Sequence, residues 1–334
     1  MKEEECSENQ LDVPFYLATI TAAQKKEIQD SIVLTRKSTR LHYAASFLPV
    51  VICLCVGILL CYFYSNEKII IMLFAIFFGA IVSWTSFKAV QAKADKKVAK
   101  VSVPMILESI YGGNSSFDPY TGISREMVDE SNLIRLGNKY SSDGLIKASY
   151  KDVDFVVSNI LSQNIQSDGK NSHTVTYFQG IFAIFPFNKE IHDSVEIREE
   201  EAGFGRSLFF SSKDKIDMED IEFNKQFNVY STDKEAAFYV ITPQLIEVFK
   251  EIKKKIPGNL IFCVRKNKII IAINNGFNKF EYHESGNDIE AYLKSVIDEL
   301  LPYRWLIDVL RLDDKISTSS EEEDEEEIDS LLKN

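Results

Sequence analysis

Two long uncharged runs dominate the pattern of hydrophobic positions along the chain. Residues 44–64 and 69–87 contain no charged side chain, over 21 and 19 positions respectively. A helix rises ~1.5 Å per residue, so about 20 residues cross the ~30 Å of hydrocarbon in a bilayer. We therefore predict two transmembrane helices, at 44–64 and 69–87. Only Ser65-Asn66-Glu67-Lys68 joins them, which predicts an antiparallel hairpin.

The charges that flank these runs predict their orientation. Basic residues lie before the first run and after the second, whereas the join holds one lysine; the flanking residues are Lys25, Lys26, Arg36, Lys37, Arg40, Lys88, Lys93, Lys96, Lys97 and Lys100. Cytoplasmic loops carry an excess of Lys and Arg. We expect an integral membrane protein with two spans and both termini in the cytoplasm. The spans contain no Asp, Glu, Lys, Arg or His, which disfavours an ion or proton pathway.

The segments beside the hairpin have weaker helical patterns. Residues 1–43 form a predicted cytoplasmic segment with a helix, in which Ile28, Ile32 and Leu41 stand among polar residues. This helix either lies near acidic lipid headgroups or pairs in a coil, or it is a solvated lead-in to the membrane. Residues 88–102 are alanine-rich and predict a juxtamembrane helix that projects from the bilayer until Pro104 interrupts it.

Residues 103–316 predict a cytoplasmic α+β domain of mainly antiparallel strands with a few packed helices. Strand patterns occur at 153–157, 174–178 and 181–185, and a hairpin is predicted from 260–264 and 269–273. One helix begins at Thr242-Pro243, because a capping residue precedes a proline at the first helical position. A second begins near Asp288, with apolar residues at helical spacing after it.

The charge distribution predicts one further segment, and the cysteines and histidines predict no cofactor. The formal charge is −12, and residues 317–334 carry eight acidic residues against one lysine. We expect a disordered acidic tail, which either binds a partner or only solubilises the chain. The five cysteines form no CxxC pair and the four histidines are widely separated. We therefore predict no metal site, no cofactor and no disulfide framework.

The clearest candidate binding residues are Tyr230, Ser231, Asp233 and Glu235, in a turn that follows a strand pattern. Asp233 is expected to bond backbone N–H groups of the turn, and Glu235 to pair with a buried base. We assign no catalytic residue. A convergent acid/base or metal site is weighed for Asp143, Asp152 and Asp154. The alternation of polar and apolar residues favours instead a turn and the solvent-exposed face of a strand. A basic cluster at the end of the helix that begins at Pro243 is weighed as a headgroup or acidic-partner patch; it consists of Lys250, Lys253, Lys254 and Lys255.

Several motifs resemble a bacterial membrane-protein family known as domain of unknown function thirty-one thirty-seven. Residues 227–243, Phe-Asn-Val-Tyr-Ser-Thr-Asp-Lys-Glu-Ala-Ala-Phe-Tyr-Val-Ile-Thr-Pro, are similar to the family's strand, Ser/Asp turn, Glu-Ala pair and strand ending in Thr-Pro before a helix. Further matches are Phe178-Gln-Gly-Ile-Phe182 with Asn188-Lys189, Tyr140 through Asp143, and Asp154-Phe155 with Ser158. The resemblance covers residues 103–312. It implies a bacterial inner or plasma membrane and brings no established activity.

These observations favour a membrane-tethered cytoplasmic binding or scaffold module over an enzyme. The expected partners are the lipid bilayer and a membrane or cytoplasmic protein, and no nucleic acid. One alternative is a membrane-associated hydrolase or metal-dependent enzyme built from convergent acidic side chains. Another is an accessory subunit of a transport or envelope complex, whose hairpin packs against partner helices through Gly57 and Gly79.

Overall fold

The computed structural model describes residues 13–63, 68–169, 172–187, 194–199, 214–255, 258–276 and 289–313, and the acidic tail predicted at 317–334 lies outside these ranges. The first part of the chain is helical. Its helices are α1 (Val13–Thr19), α2 (Ala22–Ala45), α3 (Leu48–Phe63) and α4 (Lys68–Tyr111).

Helix α3 and residues 68–87 of α4, here named the apolar hairpin, lie side by side. The structure contains two helices that are long and apolar enough to cross a membrane, and only 11% of the apolar window of each is buried within the molecule. The core helix of a soluble protein would be mostly buried. The hairpin instead exposes large apolar side chains such as Leu59, Phe74, Phe77 and Phe78.

Two glycines allow the helices of the apolar hairpin to approach closely. A Cβ added at Gly57 would lie 2.8 Å from the Cβ of Ala75, and one added at Gly79 would lie 3.0 Å from the Cα of Val50. Both contacts are made within the chain. Gly57 and Gly79 therefore give no support to the expectation that they pack against partner helices.

Helix α2 packs along residues 88–103 of α4, and this pair is here named the stalk. The buried positions of α2 are Ile28, Ile32, Thr35 and Thr39, spaced by four, three and four residues. This is the spacing of a coiled-coil seam. Val98 and Ala99 of α4 are buried in the same core, whereas Leu41 is exposed. Helix α2 is therefore packed and not a solvated lead-in.

The prediction that Pro104 interrupts the helix is wrong, because α4 continues through Pro104 to Tyr111. Proline removes one intrahelical hydrogen bond, since it has no N–H. Burial outweighs that loss here: Val103, Ile106 and Leu107 are fully buried in the core of the domain. One helix thus belongs to the apolar hairpin, the stalk and the domain.

In the described ranges, the domain is built on one nine-stranded sheet in which every paired strand is antiparallel. The strands are β1 (Ser115–Asp118), β2 (Lys139–Tyr150), β3 (Val153–Ser167), β4 (Ser172–Pro186), β5 (Val195–Glu199), β6 (Lys215–Ile216), β7 (Phe227–Tyr230), β8 (Asn259–Arg265) and β9 (Lys268–Asn274). Their spatial order is β1-β2-β3-β4-β9-β8-β5-β7-β6. The α+β prediction is confirmed.

Helices cover the two faces of the sheet unequally. The remaining helices are α5 (Arg125–Ser131), α6 (Ile221–Gln226), α7 (Lys234–Val240), α8 (Pro243–Lys255) and α9 (Ile289–Leu310). On the first face, Val157, Ile181 and Ile271 share a core with α4, α8 and α9. On the second face, a smaller core around Phe178 and Phe182 is covered by α5 and its flanking residues.

Local predictions for the domain have mixed outcomes. The hairpin at 260–273 and the helix starts at Pro243 and Ile289 are confirmed, and Thr242 Oγ1 accepts a hydrogen bond from the Leu245 N–H (3.2 Å). The strand that the resemblance implies between the Glu-Ala pair and Thr242-Pro243 is absent, because residues 234–240 form α7.

Helix α4 runs along β2 towards the end of the sheet that carries the β2–β3 and β8–β9 turns, here named the distal end. Lys96 pairs with Asp143 (2.5 Å), and the Tyr111 ring lies 5.2 Å from that of Phe155. The helix rises about 22 Å between Lys96 and Tyr111 at ~1.5 Å per residue. β2 advances about 20 Å between Asp143 and Tyr150, allowing for its bulge. The distal end is therefore the end farther from the apolar hairpin.

Phe249 of α8 tests the packing on the first face. Its ring lies 5.8 Å from that of Phe227 and 5.2 Å from that of Phe262, and it is 1% exposed. Phe249→Ala should lower the free energy of unfolding by about 3–5 kcal/mol. The measurement is urea unfolding of the detergent-solubilised chain, followed by tryptophan fluorescence in a Trp84→Phe background, which leaves Trp305 as the reporter. Phe238→Ala, at a 49% exposed site, is the control and should cost about 0.5 kcal/mol or less. Equal losses would contradict this packing.

Candidate functional site

One register row crosses all nine strands of the sheet. Each residue of the row is the direct partner of the next, so the side chains share the second face. In spatial order the row is Ser116, Lys147, Val156, Ile184, Ile270, Cys263, Glu196, Tyr230 and Lys215. The middle of the row is apolar, and its flanks are polar or charged.

A groove of ≈ 510 Å³ lies over the first half of this row, at the distal end of the sheet. Its floor is formed by Val156, Ile184 and Ile270, and Met127 and Ser131 at α5 form one wall. This volume falls within the range of roughly 300–1,000 Å³ that is usual for ligand sites. The groove exists because α5 covers only part of the second face and leaves these apolar positions beside it.

The rim of the groove carries more positive than negative side chains. Four basic residues line it, against the acidic residues Glu130 and Asp154; the basic residues are Lys147, Arg265, Lys266 and Lys268. Lys266 and Asn267 have φ values of 46° and 55°, so a tight left-handed turn places Lys266 and Lys268 together at the distal end. The site therefore combines an apolar floor with an excess of two positive charges.

Arg265 joins the wall of the groove to the sheet. Its guanidinium donates to Ser194 Oγ (3.0 Å) and to the backbone oxygen of Ser131 (3.3 Å). Ser131 is the last residue of α5, and Asn132 ends that helix in the left-handed conformation, with φ 54°. Arg265 thus ties the end of α5, which forms one wall of the groove, to strand β8.

The row continues beyond the groove into a buried polar cluster. Glu196 pairs with Arg198, and burial raises the pKa of the Glu196 carboxyl although the guanidinium opposes the shift. Burial also raises the pKa of the Cys263 thiol to about 12. At neutral pH Cys263 is therefore a protonated thiol, which is a poor nucleophile. This half of the row acts as a packed wall.

The four predicted binding residues lie at the opposite edge of the sheet from the groove. Tyr230 belongs to the row, but three strand spacings separate it from Ile270, which is about 14 Å. Ser231 is buried and its Oγ accepts the Asp233 N–H (3.2 Å). Asp233 caps α7 by accepting the Glu235 N–H (2.8 Å), as expected for a turn residue. A ligand-binding role for the four stays a prediction.

The expectation that Glu235 pairs with a buried base is wrong, because its side chain is exposed. Glu235 stands in the first turn of α7, where a negative charge is favourable with the helix dipole. Its neighbours on the same helix, Phe238 and Tyr239, are also exposed, whereas Ala236 and Ala237 are buried. The Glu-Ala motif thus presents its alanines to the core and Glu235 to the surface.

Three acidic residues weighed as a catalytic site are not brought together. Asp143 pairs with Lys96 and accepts a hydrogen bond from Asn159 Nδ2 (3.3 Å). Asp154 is the partner of Ser149, five residues along β3 from Asn159, or about 17 Å. Asp152 lies in the β2–β3 turn with φ 61°. Within the described ranges, no group of three or more His, Cys, Asp or Glu side chains is placed to hold a metal ion.

The basic cluster on α8 is partly engaged within the domain. Lys250 pairs with Asp220 (2.7 Å) and Glu247 (2.9 Å), and Lys253 pairs with Glu199 (2.5 Å). These ion pairs tie α8 to the start of α6 and to the end of β5. Lys250 and Lys253 therefore hold the fold together and are not a free headgroup patch.

Sequence reasoning missed the residues of the groove. The sequence did contain one indication: β3, β4 and β9 carry apolar residues on both faces, so both faces of the sheet must be packed against other parts of the chain or against a ligand. The basic turn at 265–268 was also visible as a hairpin connection. Neither signal shows that Val156, Ile184 and Ile270 share one row, since that depends on the register of strands far apart in sequence.

The N-cap role of Asp233 has a direct test. Asp233→Ala should lower the free energy of unfolding by about 1 kcal/mol, because the Glu235 N–H loses its acceptor. Asp233→Asn keeps a capping oxygen and should cost much less. Both variants are compared by urea unfolding of the full chain. Equal losses for the two would show that the charge of Asp233, and not its cap, is what matters.

One comparison with known proteins found a match. The model of a family described as "Protein of unknown function (DUF3137)" matches residues 176–312. No curated protein and no solved structure matches the chain. The matched segment contains Ile184, Ile270 and the basic turn at 265–268, whereas residues 103–175 of the expected resemblance lie outside it. The match runs from within β4 to just beyond the end of α9, and over these residues the chain is similar to this family of unknown function.

Proposed function

We propose that the chain is a membrane-tethered cytoplasmic binding module whose groove takes up an acidic polypeptide segment with apolar side chains. The observation that carries the proposal is the groove itself. It has an apolar floor under a rim with two excess positive charges. Apolar side chains of a ligand would cover the floor, and its carboxylates would meet the rim lysines.

Several features support the tether. The apolar hairpin exposes its large side chains, which lipid would cover. Basic residues flank it at Arg36, Arg40, Lys88 and Lys93, on the outer ends that share one side of a bilayer. The positive-inside rule favours both flanks, and so the domain, in the cytoplasm. A bacterial inner or plasma membrane is the membrane that the family resemblance suggests.

The position of the groove favours a polypeptide over the headgroups of the anchoring bilayer. Helix α4 rises about 36 Å between Phe87 and Tyr111 at ~1.5 Å per residue. Tyr111 packs on Phe155 and Tyr150, at the same end of the sheet as the groove. A charge that far from a membrane surface lies several Debye lengths away, since the Debye length is about 8 Å at physiological salt. The lysines of the rim are thus poorly placed to reach the lipid that holds the protein.

The alternatives lack a comparable observation. For a hydrolase or metal-dependent enzyme, Asp143 and Asp154 would have to converge, and they are held apart by the register of β2 and β3. For an accessory subunit, the glycines of the hairpin were the supporting feature, and they pack within the chain. A cytoplasmic or membrane protein that offers an acidic segment is the partner that fits the groove.

The topology can be tested with reporter fusions expressed in a bacterium. Alkaline phosphatase folds only outside the cytoplasm, so a fusion after Asn66 should be active and a fusion after Tyr111 should be inactive. A fluorescent protein that folds only in the cytoplasm should give the reverse pattern at the same two points. The opposite result at both points would overturn the orientation.

Binding at the groove can be tested with a defined peptide. The test uses a full-length variant in which the acidic residues at 321–327 are changed to Gln or Asn, so that the tail does not compete. A fluorescein-labelled 12-residue peptide of alternating Glu and Leu should bind this variant. Lys268→Glu should weaken binding about tenfold, or ~1.4 kcal/mol, because repulsion replaces attraction at the rim. Fluorescence anisotropy in detergent gives the affinities.

The matched control is Lys215→Glu, since Lys215 lies in the same row at the far edge of the sheet. It should change the affinity by less than about twofold, because ~14 Å or more separates it from the groove. Affinity should also fall as salt is raised. Equal effects of Lys215→Glu and Lys268→Glu would mean that the peptide does not bind in the groove.

A further inference from the structure

We infer that the acidic carboxyl-terminal segment of this same chain, residues 317–334, occupies the groove and competes with other ligands for it. The inference rests on the proposed function, because it assigns a resident ligand and a means of regulation to the same site. Three independent features support it: where the described chain ends, what the segment contains, and how far it can reach.

The described chain ends beside the groove. Helix α9 stops at Leu310, where Arg311 adopts φ 48° and the Leu312 N–H donates to the Ile307 oxygen (3.1 Å). Asp308 pairs with Lys151 (2.6 Å), and Asp313, the last described residue, lies 3.8 Å from the same lysine. Lys151 is in the β2–β3 turn. The start of the segment is therefore fixed at the distal end of the sheet.

That turn is also an edge of the groove. Ser149 and Asp154 are direct partners just inside the turn, and both line the groove. Ser149 lies two positions before Lys151 in the chain, which is a distance of about 7 Å in a strand. The chain that leaves Asp313 thus has only to pass around the end of β2 and β3 to reach the second face.

The composition of the segment complements the site. Seven consecutive acidic residues occupy positions 321–327, and Ile328, Leu331 and Leu332 follow them. The groove offers the reverse: an excess of positive charge at its rim and an apolar floor of Val156, Ile184 and Ile270. The acidic run can face the rim while the apolar residues after it lie on the floor.

The segment is long enough for this placement. Seven residues lie between Asp313 and Glu321, so eight Cα–Cα steps join them. A chain extends by at most ~3.3–3.6 Å per step, which gives a reach of about 26–29 Å. From β2 to β9 the groove crosses three strand spacings, or about 14 Å. Both the acidic run and the leucines beyond it can therefore be placed in the groove by the same copy of the chain.

Because the acidic segment is tethered to the domain, it can fill the groove even if its intrinsic affinity is weak. A ligand joined by a short flexible linker has an effective concentration in the millimolar range. At about 1 mM, a segment whose intrinsic Kd is ~0.1 mM fills roughly 90% of the sites. A partner that binds more tightly, or that draws the segment away, would then open the groove.

The experiment compares three full-length proteins in detergent, with the Glu/Leu peptide as the probe. The native chain should bind the peptide at least tenfold more weakly than the variant with residues 321–327 neutralised. A third protein, with Leu331→Ser and Leu332→Ser and its charges intact, should bind at least threefold more tightly than the native chain. Ser317→Gly with Ser319→Gly is the control for the linker and should match the native chain within twofold.

The outcomes separate the inference from the proposed function. Equal binding by the native and neutralised chains, with Lys268→Glu still weakening it, keeps the groove as a site and overturns occupation by the tail. Absence of binding to every protein overturns both. Recovery of binding by the native chain on dilution would assign the tail to a second copy, and it would overturn the intramolecular assignment.

Discussion

The burial of the second half of α4 against the sheet is the constraint on which the rest of the structure depends. Val103, Ile106, Leu107 and Ile110 lie in the same core as Phe155 and Phe185, and this core keeps the helix continuous through Pro104. Because one helix also forms half of the apolar hairpin, the direction of the domain relative to the hairpin follows from this packing. Nearer the apolar hairpin, the ion pair of Lys96 with Asp143 ties α4 to β2, and the packing of α2 along α4 buries one face of each helix.

The unequal cover of the two faces creates the candidate site. The first face buries its apolar row under long helices, including α9, whose Leu293, Ile297 and Leu300 are fully buried. The second face has only α5 and its flanking residues in the described part of the chain. Where that cover stops, at the hydrogen bond from Arg265 to Ser131, apolar strand positions face the groove. A surface of this kind, apolar with a charged rim, is typical of a binding site.

The sequence predicted the elements with strong local signals. Uncharged runs of membrane length, the Thr242-Pro243 cap and the apolar alternation in the 260–273 hairpin each predict one element without reference to the rest of the chain. Two errors came from tertiary effects. Phe238, Tyr239 and Val240 are strand-forming types, yet the Asp233 cap and the burial of Ala236 and Ala237 favour a helix. Pro104 predicts a break, and burial on the sheet prevents it.

The site was harder to predict than the fold, for a physical reason. Lys147, Ile184 and Lys268 come from three separate strands, and only the register of β2, β3, β4 and β9 brings them together. The residues that were conspicuous in the sequence, Asp233 and Glu235, lie in a capped turn where Asp233 accepts the Glu235 N–H, and their ligand-binding role stays a prediction. The acidic tail was visible from composition, but a partner for it was not, since the basic rim is assembled from distant segments.

Zero-length carbodiimide cross-linking of the full chain in lipid nanodiscs, followed by mass spectrometry, tests the central claim most directly. The reagent joins a carboxylate to an amine only where the two are in contact. The account predicts that carboxylates at 321–327 are joined to Lys147, Lys266 or Lys268, and that an added Glu/Leu peptide reduces these products. Cross-links from the same carboxylates only to stalk lysines such as Lys88 and Lys93, with none at the groove, would contradict it.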